Sequence, residues 1–328
     1  MLDFSELQQI LNGQRRVLVV SHLLPDGDCL GSAVALSIAL KQNGHIVQNV
    51  NGDPIPEMYR FLAGSEGFLL PSCVKETPEI AFLVDCSDLG RTGPILQETL
   101  KKCPCIVNID HHQTNQYFGH YNYVDPAAAA TGELIYQILQ SFNWPISIEM
   151  ATALYTAIVT DTGSFQFENT TAETLKLAGT LREMGAKTEV IRKWLWESRP
   201  LAGLLLLKEA LNTLQFDADG RLAWMVLNQE TFQRLGATND LAEGVINYPR
   251  SLKGIEISIL FREVNEKEVK VGFRSKDYID VSKLATRFGG GGHQRAAGCT
   301  VHDTIRNTID RVLAFAKEAL EEFTPSEG

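Results

Sequence analysis

Nowhere in its 328 residues does the chain carry an apolar run approaching the roughly 20 residues that a membrane-spanning helix needs. Its start, MLDFSELQQILNGQRR, is amphipathic rather than a basic segment leading into an apolar one, so no secretory leader is expected and a soluble, cytoplasmic protein is. Cysteine is sparse. Cys29, Cys73, Cys86, Cys103, Cys105 and Cys299 are scattered, and the lone C-x-C has no second pair, which argues against both a disulfide framework and a zinc ribbon. Positive charge is also in deficit, with 30 Lys and Arg against 40 Asp and Glu and a formal charge of −10. Proteins that grip long duplexes neutralise many phosphates with a basic face, so long duplex DNA is a poor partner here; a small phosphorylated substrate held by metal ions and a few local arginines remains compatible. Repeats and low-complexity tracts are missing too, apart from four glycines near the C-terminus.

What is present is an ordinary globular composition, 44% hydrophobic and 21% charged, in a chain long enough for two cores. The first half alternates short apolar runs (VLVVS, IVQNV, IAFLVD, CIVNID) with helical patterns, including one from about Gly31 to Asn43, which predicts an α/β fold with a parallel sheet and helices on both faces. Helical patterns dominate from about Gly132 to Leu214, after which RLAWMVL, IEISILFRE and EVKVGFRS announce a smaller α+β domain whose last two runs form an antiparallel hairpin. The expected division is a catalytic domain over residues 1–190, a helical linker over 191–212 where Pro200 permits hinge motion, and a substrate-binding domain over 213–328.

Four segments carry the chemistry. In SHLLPDGDCLGS, His22, Asp26 and Asp28 follow an apolar strand and precede a helix; ligands of parallel α/β sheets bind at the carboxyl ends of strands. D-x-D on a Pro/Gly turn lets two carboxylates face one space, although taken alone these residues also make an ordinary turn. In LVDCSD, Asp85 ends a strand and Asp88 follows in the turn, a pattern that helix capping also explains. IVNIDHHQTN runs a third strand into Asp110, His111 and His112, and adjacent imidazoles beside a carboxylate are hard to read as surface decoration. AIVTDTGSF sets Asp161 after an apolar helical run, where it could be a cap. Independent capping explains the conjunction poorly. Carboxylate and imidazole without thiolate suit Mn²⁺ or Mg²⁺ in six-coordinate geometry. Two such ions about 3.5 to 4 Å apart clamp the attacking and leaving oxygens of a phosphoryl displacement, a bridging carboxylate holding them together and a hydroxide between them attacking.

These segments, in this order, and the C-terminal FGGGGHQRAAG resemble the DHH phosphoesterase superfamily and its DHH-associated domain, with Asp110, His111 and His112 as the triplet. The resemblance spans both halves of the chain. It implies that His22, Asp26 and Asp85 hold one metal, that Asp28, Asp85, His111 and Asp161 hold the other, and that Asp85 bridges. It further implies that His112 faces the scissile phosphate as an electrophilic or acid group, while Asp110 orients a ligand histidine. Within the superfamily the chain is most similar to the NrnA-type bifunctional oligoribonucleases (nanoRNases) and pAp phosphatases. That implies a metal-dependent hydrolase using two Mn²⁺ (or Mg²⁺) ions on short RNA oligonucleotides and on 3′-phosphoadenosine 5′-phosphate (pAp); a homodimer stays open.

At the substrate end, the glycines from Gly289 to Gly292 followed by His293 place backbone N–H groups where no Cβ blocks approach, so Gly290, Gly291, Gly292 and His293 are candidates to cradle phosphate unless the run is a plain linker. Arg274, at a strand end, is a candidate clamp because guanidinium matches phosphate bidentately; Arg262 is a weaker one that could merely flank the hairpin. Domain closure is expected to complete the site. The rivals are a phosphodiesterase for cyclic di-AMP or linear dinucleotides (pApA, pGpG), an inorganic pyrophosphatase, and a non-catalytic nucleotide-binding regulatory module. The last expects missing ligands, and none is missing. His45, His120 and His302 lie outside the clusters and are read as structural or solvated.

Overall fold

Unbroken apolar runs such as RVLVV and IVNID form strands, and the Ala- and Leu-rich segments form helices, in the computed structural model, which describes residues 4–74, 77–198, 200–242 and 244–323. The chain divides into two units, Met1–Ser198 and Arg199–Gly328, each with its own cores. The first contains α1 (Phe4–Ile10), β1 (Arg16–Val20), α2 (Gly27–Gln42), β2 (Ile46–Val50), β3 (Ile80–Val84), α3 (Pro94–Leu100), β4 (Ile106–Asp110) and β5 (Tyr121–Val124). Four helices follow: α4 (Thr131–Ser141), α5 (Ile148–Asp161), α6 (Ala172–Glu183) and α7 (Thr188–Trp196). The strands form a wholly parallel sheet of order β2-β1-β3-β4-β5. Val19, Phe82, Val84, Val107 and Ile109 pack on one side with residues of α2, α4 and α5, while Leu18, Val20 and Leu83 pack on the other with Leu96 and Leu100 of α3. Burial on both faces is why these strands read as continuous apolar runs rather than alternating ones. Strand order reverses between β1 and β3, and the crevice beyond the carboxyl ends of strands at such a point is where sheets of this kind bind ligands.

Helix α2 begins at Gly27, four residues before the expected Gly31. Asp26 caps it, its carboxylate accepting from the Asp28 and Cys29 amides at 3.1 Å each, so Asp28 stands in the first helical turn rather than in a loop. This helix meets α5 with almost no space between backbones: a Cβ on Gly31 would lie 2.3 Å from the Ala153 carbonyl oxygen, and one on Gly132 of α4 would lie 2.6 Å from Ala157 Cβ. Close packing of α2, α4 and α5 gathers their site-bearing ends over the sheet.

The second unit contains α8 (Leu201–Asn212), β6 (Gln215–Phe216), β7 (Leu222–Leu227), α9 (Gln229–Leu235), α10 (Asn247–Arg250), β8 (Ile257–Asn265) and β9 (Glu268–Ser275). It ends with α11 (Val281–Thr286), β10 (Gly291–His293), β11 (Ala296–Val301) and α12 (Ile305–Glu322). Its mixed sheet runs β10-β11-β9-β8-β7-β6, and the expected hairpin is the antiparallel pair β8–β9. Phe261, Val271, Phe273 and Ala297 pack with Val281 of α11 and Val312 and Ala316 of α12; Met225 and Leu260 pack with residues of α8, α9 and the segment before α10. The stretch 191–212, expected as a linker, is shared between the units: Ile191 and Leu195 of α7 join the first unit's core, and Leu206, Leu207 and Ala210 of α8 join the second's. Nor are the glycines simply an open turn. Gly291–His293 pairs with β11, and a Cβ on Gly290 would lie 2.1 Å from the Gly298 carbonyl oxygen, so β11 itself requires glycine there. Among the described residues no helix is long and apolar enough to cross a membrane.

Candidate metal centre

The ends of β1, β3 and β4 and the end of α5 deliver their polar side chains to one place. His22, two residues past β1, donates from Nδ1 to the Leu23 carbonyl at 2.7 Å, which turns Nε2 toward Asp26 Oδ2 at 3.7 Å and Asp85 Oδ2 at 3.3 Å. Asp85 follows β3 directly with a φ of 58°, a left-handed conformation uncommon for a residue with a Cβ. Its amide donates to the Ile109 carbonyl at 2.9 Å. His111 donates from Nδ1 to the Ala128 carbonyl at 3.2 Å, and its Nε2 lies 3.7 Å from Asp28 Oδ2, 3.6 Å from Asp85 Oδ1 and 3.5 Å from Asp161 Oδ2. Asp161 is the last residue of α5.

Three groups of donor atoms suited to a metal ion result: His22, Asp26 and Cys29; Asp85, His111 and His112; and Asp28, His111 and Asp161. The nitrogen-to-oxygen spacings of 3.3 to 3.7 Å lie at or beyond the outer limit of a hydrogen bond. Neighbouring ligands about 2.1 Å from one six-coordinate ion stand about 3 Å apart, so small movements would seat a cation among them. Electrostatics agree with a cation-seeking site. Burial and the nearby carboxylates hold Asp28 well above the ordinary range and Asp161 up to about 7. Burial alone would lower His111, but Asp161, Asp28 and Asp85 outweigh it and raise the imidazole to about 10; Asp85 is held well below the ordinary range, against its burial, by His22, His112 and His111. Without a bound cation the crowded carboxylates retain protons and imidazolium charge in its stead.

Residues 16–158 match the DHH family, N-terminal domain, and residues 224–322 match the DHHA1 domain. The bifunctional oligoribonuclease and PAP phosphatase NrnA of Thermus thermophilus is 34% identical over 307 residues, 93% of this chain and 90% of that protein. The chain belongs to the DHH family. The protein of the same name from Bacillus subtilis is 27% identical over 319 residues, covering 94% of this chain and 96% of that one. An exopolyphosphatase-related protein from Bacteroides fragilis shares the DHH fold of this chain with a TM-score of 0.89 at 24% identity, covering 97% of this chain and 95% of that one.

Within the DHH triplet the structure separates the roles. Asp110 accepts from His112 Nδ1 at 2.6 Å, so it pairs with His112 rather than with His111, whose Nε2 faces Asp28, Asp85 and Asp161. Asp88 stays outside the cluster and caps the short turn Leu89–Thr92 by accepting from the Arg91 amide. Three residues that the sequence did not point to complete the site. Thr131 donates from its amide to Asp28 Oδ2 at 2.6 Å and from its hydroxyl to Asp85 Oδ1 at 3.0 Å, and the Gly132 amide reaches Asp28 Oδ1 at 3.0 Å, so the first amides of α4 hold a buried carboxylate. Asn115 donates from Nδ2 to Asp110 Oδ2 at 2.6 Å, to Asn108 Oδ1 at 2.8 Å and to the Cys86 carbonyl at 3.2 Å. The only sequence signal for these was a Thr-Gly pair opening a helix and an Asn soon after the triplet.

The substrate candidates fall in the second unit. Sheet register aligns Arg274 with Ala296 and Ala296 with His293, so the arginine and histidine stand in one cross-strand row, on the face opposite Phe273 and Ala297. Gly291 aligns with Gly298 on that face as well. Arg262 aligns with Lys270, four residues along β9 from Arg274, and donates to the Asn239 carbonyl at 3.2 Å; it shares the face but not the row. Gly290 and Gly292 pack against β11.

Proposed function

We propose that this DHH protein is a two-metal phosphoesterase that hydrolyses short oligoribonucleotides to mononucleotides and pAp to AMP. The observation that carries the reading is the convergence of His22, Asp26, Asp28, Asp85, His111 and Asp161, from four separated segments, on donor groups spanning less than 4.8 Å each. Substrate class comes from the named relatives. In this reading His22, Asp26 and Asp85 hold one ion and Asp28, Asp85, His111 and Asp161 the other, with Mn²⁺ the favoured metal because all these donors are oxygen or imidazole nitrogen. Divalent ions held by these residues would polarise the phosphate and lower the pKa of a bound water, supplying a nucleophile at neutral pH. The Thr131 and Gly132 amides hold the Asp28 carboxylate in place by two backbone hydrogen bonds. Asp110 accepts the proton on His112 Nδ1, which leaves Nε2 to face the scissile phosphate, where it donates only when the ring is an imidazolium. Arg274, His293 and the exposed Gly291 hold an anionic nucleotide end by charge-assisted hydrogen bonds.

Product analysis with Mn²⁺ on defined di- to pentaribonucleotides, pAp, pApA and cyclic di-AMP tests the proposal. Mononucleotides from the short RNAs and AMP from pAp are the expected products. Turnover restricted to cyclic di-AMP or linear dinucleotides would replace the substrate assignment, and nucleotide binding without turnover would replace the enzyme by a regulatory module.

A further inference from the structure

Read from sequence, the metal ligands are carboxylates and imidazoles alone, yet the fold turns a thiol to the same corner. Cys29 lies in the first turn of α2, three residues after the cap Asp26. Its sulfur, a His22 ring nitrogen and an Asp26 carboxylate oxygen all lie within 4.8 Å of one another. The Cys29 side chain is fully buried and its Sγ stands 3.5 Å from the Asp26 carbonyl oxygen, only a weak contact for a thiol. Asp85 Oδ2 lies 3.3 Å from His22 Nε2, on the same imidazole. The Asp26 side chain is 43% exposed, so solvent reaches the group from that side.

An imidazole, a carboxylate and a thiol are three donors of the kinds that zinc takes tetrahedrally, leaving a fourth position for a further ligand. Ligand oxygen and nitrogen about 2.0 Å from a tetrahedral ion stand about 3.3 Å apart. That edge matches the 3.3 Å between His22 Nε2 and Asp85 Oδ2, and the 3.7 Å from His22 Nε2 to Asp26 Oδ2 needs an adjustment of a few tenths of an ångström. Mn²⁺ gains little from sulfur, whereas Zn²⁺ and Cd²⁺ gain much.

We propose that Cys29 makes the His22–Asp26–Asp85 corner selective for thiophilic cations, so that Zn²⁺ displaces the working ion there and inhibits hydrolysis. Binding forms a sulfur–metal bond as the thiol proton passes to solvent. The proposal rests on the two-metal reading, and cobalt separates the two. Co²⁺ titrated into the metal-stripped full chain reports binding through its visible d–d bands, and reports sulfur coordination through a near-ultraviolet thiolate-to-cobalt charge-transfer band. Both bands are expected in the native protein. Cys29→Ala should keep the d–d bands, lose the charge-transfer band, and lower the ratio of Zn²⁺ to Mn²⁺ affinity measured by calorimetry on the order of tenfold or more. Should Cys29→Ala fail to fold by circular dichroism, Cys29→Ser keeps the size and supports the same comparison. Native d–d bands without charge transfer, or a charge-transfer band that survives substitution of Cys29, would overturn the proposal and leave the two-metal reading standing. Absence of all cobalt and manganese binding by the native protein would sink both.

Discussion

Asp85 shows how much one residue carries. It is 2% exposed, adopts a left-handed backbone, and lies within reach of three imidazoles. Asn tolerates the same backbone region, so Asp85→Asn removes the charge with little added strain. We expect kcat/KM to fall by about a thousandfold or more and Mn²⁺ binding to weaken in calorimetry; near-normal turnover would remove Asp85 from the metal site. Asn115 acts at one remove. Its amide grips Asp110, which grips His112, and also the Cys86 carbonyl beside Asp85. Asn115→Ala strips buried acceptors of a donor, which costs about 1–3 kcal/mol of stability by urea denaturation. Because the effect passes through His112, kcat should fall more than KM rises. Asn115→Asp should not rescue it, since a second carboxylate would then face Asp110; unchanged kcat in both variants would show that the network does no positioning.

At the scale of elements, the centre depends on how tightly α2, α4 and α5 pack. A Cβ at residue 31 would collide with backbone, not with a flexible side chain, so the helices must separate to accept it. Gly31→Ala touches no metal donor, yet we expect it to cost about 1–3 kcal/mol by thermal or urea unfolding and to weaken Mn²⁺ binding by shifting Asp28 against His111 and Asp161. Unaltered Mn²⁺ affinity would mean that the donors are set by the strand ends alone. The strands were legible because both sheet faces are buried, which leaves unbroken apolar runs ending in Asp or His at β3 and β4. The hairpin β8–β9 was legible because only one of its faces needs to be apolar along most of β9. The start of α2 was not, because Asp26 has two roles, cap and candidate ligand, and the Pro/Gly turn masked the first. Thr131 was hidden for a different reason: its partner Asp28 is 103 residues away, and local patterns do not encode such a pairing. Likewise Gly290 reads as freedom for a ligand, whereas register assigns its missing Cβ to β11.

For the whole molecule, metal binding is coupled to protons, and all the donors lie in the first unit. With His111 raised to about 10 and Asp161 to about 7, both hold protons to a large extent at pH 6, while at pH 8 His111 still does and Asp161 mostly does not. A cation needs the imidazole neutral and the carboxylate ionised, so binding must expel these protons. Mn²⁺ affinity therefore rises from pH 6 to pH 8, and fewer protons leave per ion at the higher pH. The stability of the metal-free chain runs the other way for these groups. His111 and Asp161, raised above their unfolded values, stabilise the fold fully below those values; the contribution of Asp161 fades as pH rises from about 4 through about 7, and that of His111 from about 6.5 through about 10. Asp85, depressed, contributes above its unfolded value and loses that contribution as pH falls through its folded one. Saturating Mn²⁺ at about a hundred times its dissociation constant adds about 2.7 kcal/mol to folding. At one fixed Mn²⁺ concentration, the rise in unfolding temperature on adding Mn²⁺ to chelator-treated protein should therefore be larger at pH 8, where affinity is higher, than at pH 6. Calorimetry of Mn²⁺ binding in two buffers of different ionisation heat should show net proton release at both pH values, greater at pH 6; heats that do not depend on the buffer would mean that the imidazoles and carboxylates facing each other are not what the ion displaces protons from.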